Sequence, residues 1–166
     1  IMFEVAEAYE AGMGGRSRQL APLFVEFGGV QDGEKVLDAG CGTGSLSATL
    51  ARVTRGSKIV GIDPSKGFVD YAIANVTDPR VTFELEDAQE LPYSDGSFDR
   101  SLALLIVNFL PDAPKAAREM RRVTKSGGVV GTTMWDGSRA NELTESLWAA
   151  AIPLDATAKQ ISDRRG

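Results

Sequence analysis

The sequence contains no histidine and only one cysteine, Cys41. Imidazole is the usual general base near neutral pH and the commonest transition-metal ligand. Its absence excludes a histidine-dependent catalytic triad and a zinc site, and no metal is expected. A single thiol rules out an internal disulfide framework. The chain also lacks any run of Lys or Arg and any apolar stretch of 18 residues, so neither a polybasic anchor nor a membrane span is indicated. The formal net charge is −5. A nucleic-acid track gains affinity by setting a basic surface against phosphates, so this acidic balance argues against one. Glu4, Glu7 and Glu10 interrupt the apolar core a secretory signal needs, and a cytoplasmic setting is expected.

What is present is enough apolar material, 43% of 166 residues, for one domain with a real core. The chain is organised around Val36-Leu37-Asp38-Ala39-Gly40-Cys41-Gly42-Thr43-Gly44. This stretch reads as a short apolar strand with an acid near its end, then a turn with glycines at alternate positions. Leu46, Leu50 and Val53 follow at i, i+4 and i+7, the spacing of a helix. Glycine permits backbone angles closed to other residues and lets a ligand approach the main chain, while a helix start leaves N–H groups unpaired. Together they form a nucleotide cradle. The dinucleotide fingerprint G-x-G-x-x-G fits poorly, since the third glycine arrives one residue early. Asp38 would also repel a pyrophosphate, whereas a cationic ligand would be welcome. Cys41, a small residue inside the turn, is assigned to packing.

Lys58-Ile59-Val60-Gly61-Ile62-Asp63 reads as a second buried strand ending in an acid, 19 residues past Gly44, and Pro64 stops it. A carboxylate there can accept charge-assisted hydrogen bonds from both hydroxyls of a ribose. NAD enzymes share that feature, so Asp63 supports any adenosine ligand. A helix is predicted from Lys66 to Ala74. Val81 to Glu86 alternates apolar and polar, fitting an edge strand with one exposed face. Phe98 to Val107 is nearly all apolar and is read as a central fourth strand, with Asp99 in a structural role. Asp112 to Val123 is read as a helix, with Ala116, Met120 and Val123 inward and Lys115, Arg118, Arg121 and Arg122 outward on a solvated face. Lys125-Ser126-Gly127-Gly128 is read as its cap and Val129 to Trp135 as a fifth strand. Phe3 to Phe27 is read as two helical pieces hinged at Gly12-Met13-Gly14-Gly15. A last helix, with Leu143, Leu147, Trp148 and Ala151 inward, follows the turn Asp136-Gly137-Ser138.

The residues from Val36 to Gly44 resemble motif I of the class I, Rossmann-like, S-adenosylmethionine-dependent methyltransferases. The run Asp87-Ala88-x-x-Leu91-Pro92-Tyr93 to Phe98-Asp99 resembles the adenine-side motif of the type 11 branch, which includes ubiquinone/menaquinone methyltransferases. Asp112 to Trp135 resembles motif III. The resemblance implies a three-layer α/β sandwich around a mainly parallel sheet, with S-adenosylmethionine as cofactor. It implies that Asp38 orders the ammonium end, directly or through water, and that Ala39, Gly40, Cys41, Gly42, Thr43 and Gly44 shape the backbone against the ligand. Asp63 and Pro64 would serve the ribose, Asp87 and Ala88 the adenine, and the strand end at Ala103-Leu104 the methionine moiety. Tyr9, Met13, Arg16 and Arg18 resemble an N-terminal segment that folds over the cofactor in related enzymes.

The resemblance covers roughly residues 36 to 136, in one domain spanning 1–166. Residues 1–34 form the N-terminal lid, 35–136 the cofactor-binding core, and 137–166 the start of a truncated substrate-side segment. The two last strands of the seven-stranded fold have no counterpart after Trp135, and the chain begins at Ile1, so a fragment is expected. Methyl transfer to a small-molecule acceptor needs alignment and water exclusion more than a base. No catalytic residue is assigned: Tyr9 and Asp136 are weak candidates for a base, and Asn108 for a substrate contact. Asn108-Phe109-Leu110-Pro111 lacks the paired prolines of the amino-methyltransferase motif. A non-catalytic S-adenosylmethionine-binding domain and a nicotinamide-dependent oxidoreductase are the alternatives. No oligomeric state is encoded in any motif.

Overall fold

The computed structural model describes residues 6–135 and 142–155, excluding the side chains of 142–145 and 147. The chain divides into two compact units, 1–134 and 135–166. The first is built on five strands: β1 (Lys35–Ala39), β2 (Lys58–Ile62), β3 (Val81–Glu84), β4 (Phe98–Leu104) and β5 (Thr124–Thr133). They pair in the order β3-β2-β1-β4-β5, and every pairing is parallel. Parallel strands need crossovers, and the crossovers carry helices that cover both faces of the sheet. That is why β1 and β2 read as nearly unbroken apolar runs. The α3 helix (Ser45–Val53) and α2 (Gly15–Phe27) pack Leu46, Leu50 and Phe24 with Val36, Ile59 and Leu102. The helix α5 (Ala113–Val123) packs Ala116, Met120 and Val123 with Leu37, Ile62 and Phe98 in a second cluster. The helix α4 (Lys66–Asn75) buries Phe68, Val69 and Ala72.

The order of the strands reverses at β1, which has β2 on one side and β4 on the other. Such a switch point opens a crevice at the carboxyl ends of the strands. Asp99 closes the opposite end: its carboxylate accepts from Lys35 N at 2.8 Å and Lys125 Nζ at 2.6 Å, joining the starts of three strands. These contacts hold its carboxyl below the usual range. The structural role expected for Asp99 is therefore observed, as is the edge position of β3.

Several local expectations are corrected. The glycine-rich hinge is helical: α1 (Ala6–Tyr9) runs through a π-helical turn at Glu10–Gly14 into α2. A β-carbon on Gly14 would meet the end of the Glu10 side chain, which lies over this position. Lys125–Gly128 do not cap α5. The helix ends at Val123 and is capped by Thr124, whose hydroxyl donates to Met120 O at 2.6 Å; β5 begins at Thr124, with a register shift where it pairs β4 between Phe98 and Arg100. β3 stops at Glu84 and leaves Leu85 exposed. Val53, Leu23 and Phe27 face solvent. β4 stops at Leu104 because Leu105 adopts φ 61°, the single left-handed non-glycine residue among those described. In the second unit, α6 (Glu142–Ala151) ends in a turn where Ile152 N donates to Trp148 O at 2.9 Å. Asp136 and the side chains of Leu143 and Leu147 lie outside the described residues.

Gly61 in β2 is set by space. A β-carbon there would stand 2.7 Å from the Phe83 ring and 3.0 Å from Ser47 Oγ. Overpacking of this kind costs about 1–3 kcal/mol. Gly61→Ala is expected to lower the urea midpoint accordingly with an unchanged slope; an unchanged midpoint would show that Phe83 moves aside freely.

Candidate functional site

The parallel sheet carries Asp38, Asp63, Asp87 and Ala103-Leu104 to one edge. Asp38 lies one residue before the end of β1, Asp63 just past β2, Asp87 three residues past β3, and Ala103-Leu104 at the end of β4. In the β1–β4 register Asp38 is level with Leu102, so Ala103 and Leu104 project one and two positions beyond it. The turn between β1 and α3 fills the notch between them. Gly40, Gly42 and Gly44 have φ of 72°, 53° and 88°. At Gly40 a β-carbon would stand 2.6 Å from Ile106, so the turn packs bare backbone against the segment after β4. At Gly42 it would meet nothing within 4 Å among the described residues, so they leave this backbone open to a ligand.

Two bonds tie the turn to β2. Cys41 N donates to Ile62 O at 2.8 Å, and Gly42 N donates to Asp63 Oδ2 at 3.0 Å. Asp63 Oδ1 accepts from Ser65 N at 2.9 Å, at the start of α4. Burial raises the Asp63 carboxyl above its usual range, opposed by these two N–H groups. Pro64 is exposed between them. The Cys41 side chain is buried, and burial pushes its thiol well up, which fits packing and disfavours a thiolate nucleophile.

Asp38 sits deeper than the sequence suggests, with no exposed surface. Ser47 Oγ, one turn into α3, donates to its Oδ2 at 2.6 Å. Its Oδ1 is buried with no hydrogen-bond partner among the described residues. Burial drives the carboxyl up from 3.8 to about 7; the Ser47 hydrogen bonds oppose the shift and the nearby Asp63 charge adds to it. Sequence reasoning missed Ser47. The only signal for it is the nine-residue spacing that brings the first turns of α3 back over the end of β1.

Asp87 is exposed and accepts from Gln89 N at 2.8 Å and from Gln89 Nε2, while Ala88 is buried in the α5-side core. The Ala103 carbonyl accepts from Thr132 Oγ1 at 3.2 Å. Leu105 N donates to both the carbonyl and the hydroxyl of Thr133 at 3.1 Å, which holds the left-handed residue in place. The N-terminal segment reaches this edge. Thr43 Oγ1 donates to Glu10 Oε1 at 2.5 Å, and Arg18 pairs with the same carboxylate. The Tyr9 ring packs tilted against that of Phe68, with centroids 5.3 Å apart, and its hydroxyl is 3.0 Å from Ser17 Oγ. Asn108 is exposed in a 3₁₀ turn at Val107–Phe109. A cavity of about 240 Å³ beside α3 is lined by Glu10, Thr43, Gly44, Arg52, Tyr71 and Asn75; it touches the glycine turn at Thr43 and Gly44, and none of the three strand-end acids lines it.

Among the described residues, no Lys or Arg pairs with Asp38, Asp63 or Asp87. Acids without cations at a strand-end cleft, one holding an orphaned buried oxygen, suit a ligand with a positive end and hydroxyl groups. They do not suit a pyrophosphate. Among the described residues no cluster of metal-binding side chains occurs, and no helix is long and apolar enough to cross a membrane.

Comparison with known proteins agrees with this geometry. A family described as "Methyltransferase domain" matches residues 37–131. Methyltransferase GfsG of Streptomyces halstedii is 43% identical over 103 residues, covering 60% of this chain and 37% of that protein. The [4+2]-cyclase SpnF has 34% identity and a TM-score of 0.65 over 70% of this chain and 44% of its own. A putative S-adenosyl-L-methionine-dependent methyltransferase of Methanococcus maripaludis has 25% identity and a TM-score of 0.66, covering 96% of this chain and 73% of that one. The chain spans less than half the length of GfsG and of SpnF.

The raised carboxyl of Asp38 has a signed consequence for stability. Between its unfolded value near 4 and its folded value of about 7, the native state holds a proton the unfolded chain has released. Stability therefore falls as pH rises through that window. Relative to Asp38→Asn, the unfolding free energy of the wild type is expected to drop by up to about 3 kcal/mol between pH 4 and pH 7. Parallel denaturation curves for the two proteins would contradict this.

Proposed function

The chain belongs to the methyltransferase-domain family that matches residues 37–131, and on that premise we propose that its cleft binds S-adenosylmethionine and that the whole protein is a cytoplasmic enzyme methylating a small-molecule acceptor. Asp63 carries the reading. It stands at the strand end beside the glycine turn, buried, and among the described residues its carboxylate accepts only from the backbone N–H groups of Gly42 and Ser65. A carboxylate so placed can take the ribose hydroxyls while it holds the turn. Asp38, held by Ser47, lies behind the turn, and its ionised form supplies negative charge toward the cationic end; the bare backbone from Ala39 to Gly44 lies against the ligand. Pro64 shapes the ribose end, and Asp87 with the Ala88 backbone receives the adenine. The backbone end at Ala103-Leu104 flanks the methionine moiety.

Bound S-adenosylmethionine supplies an electrophilic methyl group for in-line displacement by an acceptor nucleophile. The chain's own contribution is alignment and exclusion of water, through the apolar wall at Leu104, Leu105 and Ile106 and the N-terminal segment latched to Thr43 by Glu10. The Tyr9 hydroxyl is engaged with Ser17 and no base is assigned to it. The charge of −5 favours a small acceptor over nucleic acid. SpnF, named for a cyclase, supports a second reading: the cleft binds the cofactor and the whole protein performs other chemistry.

Calorimetric titration with S-adenosylhomocysteine, with NADH as control, tests the first step. S-adenosylhomocysteine alone is expected to bind, and Asp63→Ala to weaken it at least roughly tenfold, the cost of losing charge-assisted hydrogen bonds. Binding of NADH in its place would overturn the assignment. Release of label from methyl-labelled S-adenosylmethionine to an acceptor, measured on the full-length protein, separates the methyltransferase from the second reading.

A further inference from the structure

The segment between β3 and β4 carries Asp87 and Ala88, yet it contributes no strand or helix from Leu85 to Ser97. Its backbone must be held by something other than a ladder. The holder is α5. Arg122 Nη1 donates to Tyr93 O at 2.7 Å and to Asp95 Oδ1 at 2.9 Å, and Nη2 donates to Leu91 O at 2.9 Å. Glu119, one turn earlier, accepts from Leu91 N at 3.0 Å. It also fixes the guanidinium through bonds to Nε at 2.8 Å and Nη2 at 2.7 Å. Gly96 N returns to Arg122 O at 3.0 Å. At the other end of α5, Asp112 N donates to Gln89 Oε1 at 2.8 Å, and Gln89 donates in turn to the Asp87 carboxylate.

This overturns the expectation that Arg122 belongs to a solvated face. Arg118 and Arg121 on the same helix do remain exposed, with no bond among the described residues. Arg122 differs because a planar fork with several fixed donors can satisfy two carbonyls and two carboxylates at once, which an ammonium cannot do in the same geometry.

We propose that Glu119 and Arg122 are positioning residues for the adenine end of the cofactor: their paired side chains hold the 87–96 segment in the shape that aims Asp87 and the Ala88 backbone at the base. This rests on the cofactor reading above. The pair touches no ligand and acts through the loop. A purely structural role would lower affinity for any nucleoside ligand alike, whereas a positioning role acts on recognition of the base.

The test uses the full chain and two probes, S-adenosylhomocysteine and S-inosylhomocysteine, which differ in whether the base presents an amino group or a carbonyl to Asp87. The wild type is expected to favour the adenine compound. Arg122→Met is expected to weaken the adenine compound roughly tenfold, the loss of about one charge-assisted hydrogen bond, and to leave the inosine compound nearly unchanged. Arg122→Lys should fall between, and Arg121→Met should match the wild type. An equal fall for both probes, or an unchanged preference, would overturn the proposal. So would a wild type that binds both probes equally. A wild type that binds neither overturns the cofactor reading itself, a distinct failure. If Arg122→Met does not fold, Arg122→Lys and Glu119→Gln decide by the same ratio.

Discussion

Two hydrogen bonds set the rest of this structure: Cys41 N–H to the Ile62 carbonyl, and Gly42 N–H to the Asp63 carboxylate. They fasten the turn after β1 to the end of β2, and the turn cannot be fastened there with side chains in the way. Gly40 must lie against Ile106, and Gly42 must leave its backbone bare. The start of α3 follows from that placement. With α3 so placed, Ser47 reaches back to Asp38. The cleft is thus a consequence of how one turn is pinned, and Asp63 serves both as fastener and as candidate ligand group.

The buried Asp38 shows the cost of such an arrangement. A carboxylate with no exposed surface and one orphaned oxygen is unfavourable in its charged form, and the fold accepts this at the centre of its sheet. An apolar residue would pack there more comfortably. A site that must receive a cation is one place where the opposite choice makes sense, because an arriving positive charge favours the ionised acid. The left-handed Leu105, held by Thr133 at the end of β4, is a second local cost at the same edge, on the order of 1 kcal/mol.

Much of this was legible in the sequence because it is local. Alternate glycines, an acid at each strand end and the alternating pattern of β3 are all readable within a few residues. They place Asp38, Asp63 and Asp87 at one edge once the strands are known to be parallel. What was not legible depends on distant parts of the chain. On a helical wheel Arg122 points to water; only the return of residues 91–95, about 30 positions earlier, gives it partners. Lys125-Ser126-Gly127-Gly128 has the chemistry of a helix cap, but it bulges between Thr124 and Val129, which pair with Phe98 and Arg100 of β4, and so falls inside β5. Ser47 looks like any small helical residue until the helix is docked over β1. No local propensity places a leucine at φ 61°, since leucine disfavours that region.

The position of β1 in the sheet has a temporal side. Its neighbours are β2, which follows closely in the chain, and β4, where Val36 pairs with Arg100. As the protein emerges from the ribosome, β1, β2 and β3 can assemble while the second edge of β1 still has no partner. That edge is flanked by Val36 and Leu37, both destined for the core. Loop closure over such a separation must be completed before the contacts that reward it form, and an unpaired apolar edge invites other chains in the interval. The central strand that organises the finished cleft is therefore also one whose second edge stays open during synthesis. A host that synthesises this protein slowly prolongs that interval.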